Sequence, residues 1–362
     1  MVINYYAKEG MKKILALLLT AGLAVGCLAG CGSNEQSTPG GSSGQAGTSG
    51  EARELTISIG NPEGSDNYYK YQAFADALAE VSGGQLTAKV YASGTLATDS
   101  EALEALTSGT VDIAHLTPST ACSMIPDVAA MDLPGVFSYE DTEDTTTFIE
   151  FEAALHDTLD SIYSDYNLKY LALNQSCQAV IVSNEKLVKS PADLEGKAYR
   201  SAGQYLGRLF ELWGASATTM DMGDLTTGLE RNMVQGTLTA YGVVGSFKLY
   251  EVAPYVTFFN TTNSVASMVM AGDTWNSLSA EEQAWVEEAS KIYLTEGQKI
   301  GQEYLEKYTQ QFYDGNAEVY YLTEAEEAAF LDDVDTIFEE ISKNCTDKGL
   351  KLIDLIKDWN AK

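Results

Sequence analysis

Arg200 closes the run Asp193-Leu194-Glu195-Gly196-Lys197-Ala198-Tyr199-Arg200. A turn closed by Gly196 feeds a short strand whose last residue is the arginine, which sets a permanently charged fork of donors at the strand's carboxyl end. In open α/β sheets ligands sit beyond the carboxyl ends of the strands, and a planar guanidinium there suits a bidentate grip on a carboxylate. Other chemistry is scarce. The chain has two histidines, His115 and His156, and neither joins a Ser-His-Asp order, a phosphate-binding loop or a His-Glu-x-x-His helix. His156 reads as a solvated helix-face residue beside Glu152 and Asp157; His115 ends a strand and reads as a core or edge histidine. With 52 acidic residues, no pair of carboxylates singles itself out for acid-base catalysis. Five cysteines without Cys-x-x-Cys spacing write neither a zinc site nor a disulfide framework, so no metal and no cofactor are expected.

The elements that position Arg200 follow from alternation. Leu55–Ile59 reads as a strand, Tyr68–Val81 as a helix, Leu86–Tyr91 as a strand, Asp99–Thr107 as a helix and Val111–Leu116 as a strand, a βαβαβ unit. A long helix is expected over Thr145–Tyr163. A second unit begins with strands at Leu168–Leu173 and Ala179–Ser183. It continues with Lys197–Arg200, a helix from Gln204 to Trp213, a strand at Ala217–Met220, a helix near Leu225–Arg231 and a strand at Thr237–Tyr241. Placing Leu106 on Leu229 sets Val111 on Val234 and Asp112 on Gln235, a weak internal match that suggests a duplicated unit. Strands at Tyr255–Asn260 and Val265–Ala271 lead the chain back. A helix from Ala280 to Tyr308, a strand at Val319–Leu322 and helices at Ala325–Ile341 and Leu350–Trp359 complete it.

Residues 1–31 read as a secretory signal: Met11-Lys12-Lys13, an apolar run from Ile14 to Val25, and Leu28-Ala29-Gly30-Cys31, a small-residue cleavage site ending in cysteine. The stretch resembles bacterial lipoprotein signals, which implies Cys31 as the lipidated N-terminus, with Cys27 a weaker alternative. Residues 32–53 are rich in Gly, Ser, Thr and Gln, with too little apolar surface to order, and read as a flexible tether. Formal charge is −30, which makes nucleic acid and anionic lipid surfaces poor partners and leaves the lipid as the membrane contact.

Several stretches together resemble the solute-binding proteins of TRAP transporters, the DctP-like family. They are Tyr91-Ala92-Ser93-Gly94-Thr95-Leu96, Leu106-Thr107-Ser108-Gly109-Thr110-Val111-Asp112-Ile113-Ala114, Pro126, Leu133-Pro134-Gly135-Val136-Phe137, Asp193 through Arg200, and Trp213-Gly214-Ala215. The resemblance runs from Leu55 to about Trp359. It implies a two-lobe α/β fold of the periplasmic-binding-protein type with a long helix spanning both lobes. Residues 54–175 with 262–362 would form mainly lobe I with the spanning and C-terminal helices, and 176–261 mainly lobe II. It also implies that Arg200 salt-bridges the carboxylate of a small organic acid and that a TRAP-type permease, driven by an ion gradient, receives it. An extracytoplasmic monomer without enzymatic activity is expected.

Departures from the family pattern bear on the ligand. Gln178 stands where many members carry a further arginine and cannot neutralise a second carboxylate. Thr239 replaces an amide that often touches ligand. A monocarboxylate with an apolar or hydroxylated body is therefore expected, with Met220, Met222, Trp213 and Tyr241 as candidate walls. Position at strand ends adds Asn67, Tyr69, Thr117 and Asn263, although Asn67 also suits a helix cap. Two other readings are a binding protein that presents its ligand to a membrane sensor, and a secreted carboxylate-based hydrolase.

Overall fold

The computed structural model of the protein describes residues 52–138 and 145–361, except the side chains at 138, 145, 175–177 and 260–263. Cys31, the signal and most of the tether lie outside the described residues. The first unit is β1 (Arg53–Ser58), α1 (Asp66–Val81), β2 (Leu86–Tyr91), α2 (Ala102–Thr107) and β3 (Ile113–Leu116). Its strands pair in parallel, with β1 between β2 and β3, because each connection carries a helix long enough to cross the sheet. Ser65 caps α1 by accepting from the Tyr68 amide, and Tyr71, Phe74, Ala75 and Leu78, spaced three and four apart, go into the core. Asn67 is inside the helix rather than its cap. The α2 helix starts three residues later than its periodicity suggests, because Glu101 turns back to accept from the Thr98 amide and hydroxyl.

After α3 (Pro118–Ala121), β4 (Phe137–Ser138) and α4 (Thr145–Ser164) comes β5 (Leu168–Ser183), a single strand where two were expected. The second unit follows with β6 (Ala198–Ser201), α5 (Gln204–Leu212), β7 (Ser216–Thr219), α6 (Met222–Glu230) and β8 (Gly236–Ala240), and β6 lies parallel between β7 and β8. Then come α7 (Tyr241–Ser246) and β9 (Tyr255–Ala271), again one strand in place of two. The two units share a device at the strand entrance. Asp112, just before β3, accepts from the Thr56 amide of β1 at 2.8 Å, and Gln235, just before β8, accepts from the Ala198 amide of β6 at 2.9 Å.

β5 and β9 run antiparallel to each other through both units, with register shifts between Tyr170 and Ala172, between Gln175 and Cys177, and between Gln178 and Val180. The first half of β5 and the second half of β9 complete the sheet of the first lobe, where β9 pairs β3. The other halves complete the second, where β5 pairs β8 and β9 pairs β10 (Glu318–Tyr321). Two lobes are thus joined by two shared strands.

Behind both lobes, past α8 (Gly272–Ser277), lies α9 (Ala280–Asp314), which starts with a Ser279/Glu282 capping box. At 1.5 Å per residue it is roughly 50 Å long. It passes Tyr308 and ends at Gly315, the first residue after its last turn. Val286, Ala289 and Tyr293 pack with Leu55, Ile57, Tyr71 and Phe74 of the first lobe. Tyr308 and Phe312 pack with Val180, Val182, Val244 and Val256 of the second. The closing segment breaks at Asp332 into α10 (Glu324–Leu331) and α11 (Val334–Ser342), and α12 (Asp347–Asn360) returns to the first lobe's end, where Trp359 meets Phe151 edge-on. Among the described residues no helix is long and apolar enough to cross a membrane.

Candidate ligand-binding site

A cavity of about 350 Å³ opens between the lobes, lined from both. Arg200 enters it from β6. The strand continues one residue beyond it, to Ser201, and the arginine is 5% exposed. Its Nε donates to the Met220 carbonyl at 2.8 Å, and its own carbonyl accepts from Thr237 Oγ1 at 3.1 Å. Those bonds fix the root of the side chain while its two terminal nitrogens engage no described residue. Burial lowers its pKa to about 10, against the pull of Asp99, Asp221 and Asp132, so it stays charged at neutral pH.

Three carboxylates line the same cavity. Asp99 follows β2; burial raises its pKa to about 6, opposed by Arg200 and reinforced by Asp221, while the Gly60 amide bonds it and opposes the rise. A Cβ at Gly60 would sit 2.2 Å from Asp99 Oδ1, so a side chain there would push the carboxylate aside. Asp132 ends the 3₁₀ turn Pro126–Asp132. Its Oδ1 accepts from Ser119 Oγ, and its Oδ2 is sealed with no partner among the described residues. Burial raises its pKa to about 7, with Ser119 and Arg200 opposing. Asp221, exposed at the start of α6, accepts from Ser100 Oγ of the other lobe at 3.1 Å. The lobes touch again where Ser119 meets Gly203, whose absent Cβ would lie 2.2 Å from the Ser119 carbonyl.

The rest of the first lobe's wall is neutral and polar. Asn174 donates to Asn67 Oδ1 at 2.9 Å, and Asn67 donates to Asn61 Oδ1 at 3.2 Å. His115 lies against Tyr71, Nδ1 to hydroxyl 3.2 Å, and burial first, then Lys70, lower its pKa to about 4, so it is neutral at pH 7. The buried Lys70–Asp66 pair beside it is closed at 3.2 Å. Met131, Leu133, Leu206, Met220, Met222 and Val265 supply the apolar surface.

Of the residues singled out from sequence, Arg200, Thr239, Thr117, Asn67, Met220, Met222 and His115 border the cavity. Tyr241 does not: it lies in the second lobe's core and its hydroxyl donates to the Gly301 carbonyl of α9. Trp213 is likewise core, edge-on to Phe210 and Phe330. Gln178 turns its amide to the Phe259 carbonyl, satisfying the backbone where β9 changes register. Tyr69 faces outward, 44% exposed, against Tyr68 and Tyr304. Asn263 pairs with Phe137 and Gln178 through its backbone, and its side chain lies outside those described. Sequence reasoning missed Asp99, Asp132, Asp221, Asn61 and Ser119. The available signal was position, since Asp99 follows a strand end and Asp132 immediately precedes Leu133-Pro134-Gly135.

Residues 57–344 match the bacterial extracellular solute-binding proteins, family 7, known as DctP. The chain belongs to this family. Among family 7 relatives, it is 24% identical to the ectoine-binding periplasmic protein TeaA of Halomonas elongata over 205 residues, 56% of this chain and 60% of that protein. It is 25% identical to the C4-dicarboxylate-binding protein DctB of Bacillus subtilis over 279 residues, 74% and 76% of the two chains. The fold matches two solved structures. One is the sugar acid binding protein DctPAm of Advenella mimigardefordensis in complex with galactonate, with a TM-score of 0.76, 22% identity, and 85% of this chain and 99% of that one covered. The other is a TRAP solute-binding protein of Desulfovibrio salexigens with bound orotic acid, with a TM-score of 0.79, 19% identity, and 85% and 98% covered. The two-lobe architecture is that of the TRAP solute-binding proteins.

Proposed function

We propose that this protein is an extracytoplasmic receptor that captures a small organic acid through an Arg200–carboxylate salt bridge and presents it to a TRAP-type membrane permease. The observation that carries the reading is the Arg200 fork. It is buried, rooted by the Met220 carbonyl, open at both terminal nitrogens and set in a cavity between two lobes. A carboxylate takes two parallel hydrogen bonds from such a fork, and exclusion of water from a closing cleft strengthens the pair. The names of its relatives, binders of ectoine, C4-dicarboxylates and galactonate, support an organic acid. With Gln178 bound to the Phe259 carbonyl and no second arginine on the cavity wall among the described residues, a single carboxylate fits better than two.

Lipidation at Cys31 would hold the receptor at the cell surface. Cys31→Ser is expected to move the protein from the membrane fraction to the soluble fraction, and equal partition of both forms would remove the anchor from this account.

Thermal unfolding of the chain from Ala52 onward against a panel of small carboxylates, with Arg200→Ala beside it, tests the binding reading. A ligand that binds only the folded state adds about 2.7 kcal/mol at a hundredfold excess over its Kd. One acid should stabilise the parent and leave the variant unmoved. A non-acid that shifts both proteins alike would refute the carboxylate grip.

A further inference from the structure

An aspartate just before the first turn of a helix ordinarily accepts from the amides that the helix leaves open there. Asp221 holds that position on α6 with an extended backbone, yet its carboxylate bonds no amide of the first turn. It reaches instead to the other lobe, where Oδ2 accepts from Ser100 Oγ at 3.1 Å. Ser100 is presented by a loop fixed within its own lobe. Glu101 accepts from the Thr98 amide and hydroxyl, and the Thr98 and Ser100 hydroxyls lie 3.1 Å apart. With the lobes in contact, the cross-lobe bond is made and the helix cap is not. One carboxylate thus has two uses, one inside its own lobe and one outside it.

We propose, resting on the receptor reading above, that Asp221 is a two-position latch. It holds Ser100 when the lobes are closed and turns back to cap α6 when they part. Each position replaces the bond given up in the other, so the lobes separate without stranding an unbonded carboxylate and neither form is locked. The latch is wired to the site. Asp221 follows Met220, whose carbonyl anchors Arg200 Nε, and Met220 and Met222 both border the cavity. A ligand that draws on the Arg200 fork therefore pulls on the segment that carries the latch. Ser100 and Asp221 are both exposed, so water competes for their bond, which suits a fastening that must release.

The chain from Ala52 onward belongs to one compact unit, and small-angle scattering of it without added ligand tests the latch. Ser100→Ala removes the closed-form bond and leaves the cap. It should shift the open-to-closed ratio about fivefold toward open, a modest figure for an exposed hydrogen bond to a charged group, and raise the radius of gyration. Ser100→Thr keeps the hydroxyl and should keep the parent's radius. Asp221→Ala gives up both bonds, so it should expand the protein less than Ser100→Ala does. Amide hydrogen exchange over Met222–Asp224 reads the other position of the latch. It should be slower than the parent's in Ser100→Ala, where the cap is made more often, and faster in Asp221→Ala, where it is never made. A surface contact of no consequence would leave Ser100→Ala equal to the parent in radius and exchange, and that result overturns the latch. So does an Asp221→Ala expansion as large as that of Ser100→Ala, because the cap would then contribute nothing to the open form. Neither readout involves a carboxylate, so the Arg200 grip stands or falls separately on the thermal-unfolding panel.

Discussion

Asp132 and Asp99 are carboxyl groups that folding makes harder to ionise, and that has a consequence for stability. Burial first raises their pKa values from 3.8 to about 7 and about 6, with Arg200 opposing in both and Ser119 also opposing at Asp132. Between those limits the folded protein holds protons that the unfolded chain has released, so stability falls as pH rises through that window and the full penalty is present above about pH 7. Asp132→Asn should therefore leave the ligand-free protein unchanged near pH 4 and stabilise it by about 2 kcal/mol at pH 8, a figure discounted for water at the cavity mouth. Urea unfolding of both proteins at pH 4, 6 and 8 measures this. A variant less stable than the parent at pH 8 would mean that the ionised Asp132 is held favourably. Arg200 was legible in the sequence because its strand-end position and the Gly196 turn mark it out. Asp99 and Asp132 were not, because in a chain with 52 acidic residues composition gives no contrast, and the residues they lie against, Gly60 and Ser119, are distant in sequence.

At the scale of elements, alternation located the long helices and most strands but missed the short α3, β4 and α7 and the continuity of β5 and β9. Apolar periodicity reports which residues are buried, whereas a strand's continuity is carried by its backbone ladder, which persists where the chain leaves one core for the other. Polar stretches such as Ser176-Cys177-Gln178 and Asn260-Thr261-Thr262-Asn263 therefore read as breaks, although the strand runs through them. The same crossing makes the lobes separable, and one contact reports their approach. Gly203, at the start of α5, lies so close to Ser119 of α3 that a Cβ would meet its carbonyl at 2.2 Å. Backbone cannot yield as a flexible side chain does, so Gly203→Ala should hold the lobes apart. The expected result is binding weakened about tenfold, the cost of roughly 1.4 kcal/mol of misfit. Small-angle scattering of the ligand-saturated variant should give a larger radius of gyration than the parent. Unchanged affinity together with an unchanged radius would make the contact incidental to closure.

For the molecule as a whole, β5, β9 and α9 each run through both lobes. The strands lie where the lobes hinge, whereas the helix contributes Val286, Ala289 and Tyr293 to one core and Tyr308 and Phe312 to the other, which makes it a candidate for stiff coupling. Between these anchors Lys299 is exposed, and it pairs with Glu296 on the same solvent face at 2.7 Å, a pair worth little. Lys299→Pro removes a helical donor and crowds the preceding turn, at a cost of about 3 kcal/mol, without touching either core. If α9 is what makes the lobes unfold together, calorimetry should show one transition for the parent and for Lys299→Ala, and two for Lys299→Pro. Acid binding should weaken along with that cooperativity, because the cavity takes Arg200 from one lobe and Asn67 from the other. A single transition at lower temperature in the proline variant would assign the coupling to β5 and β9 instead. The backing helix would then be a shared cover for two cores, and closure would be governed by the register shifts where those strands cross.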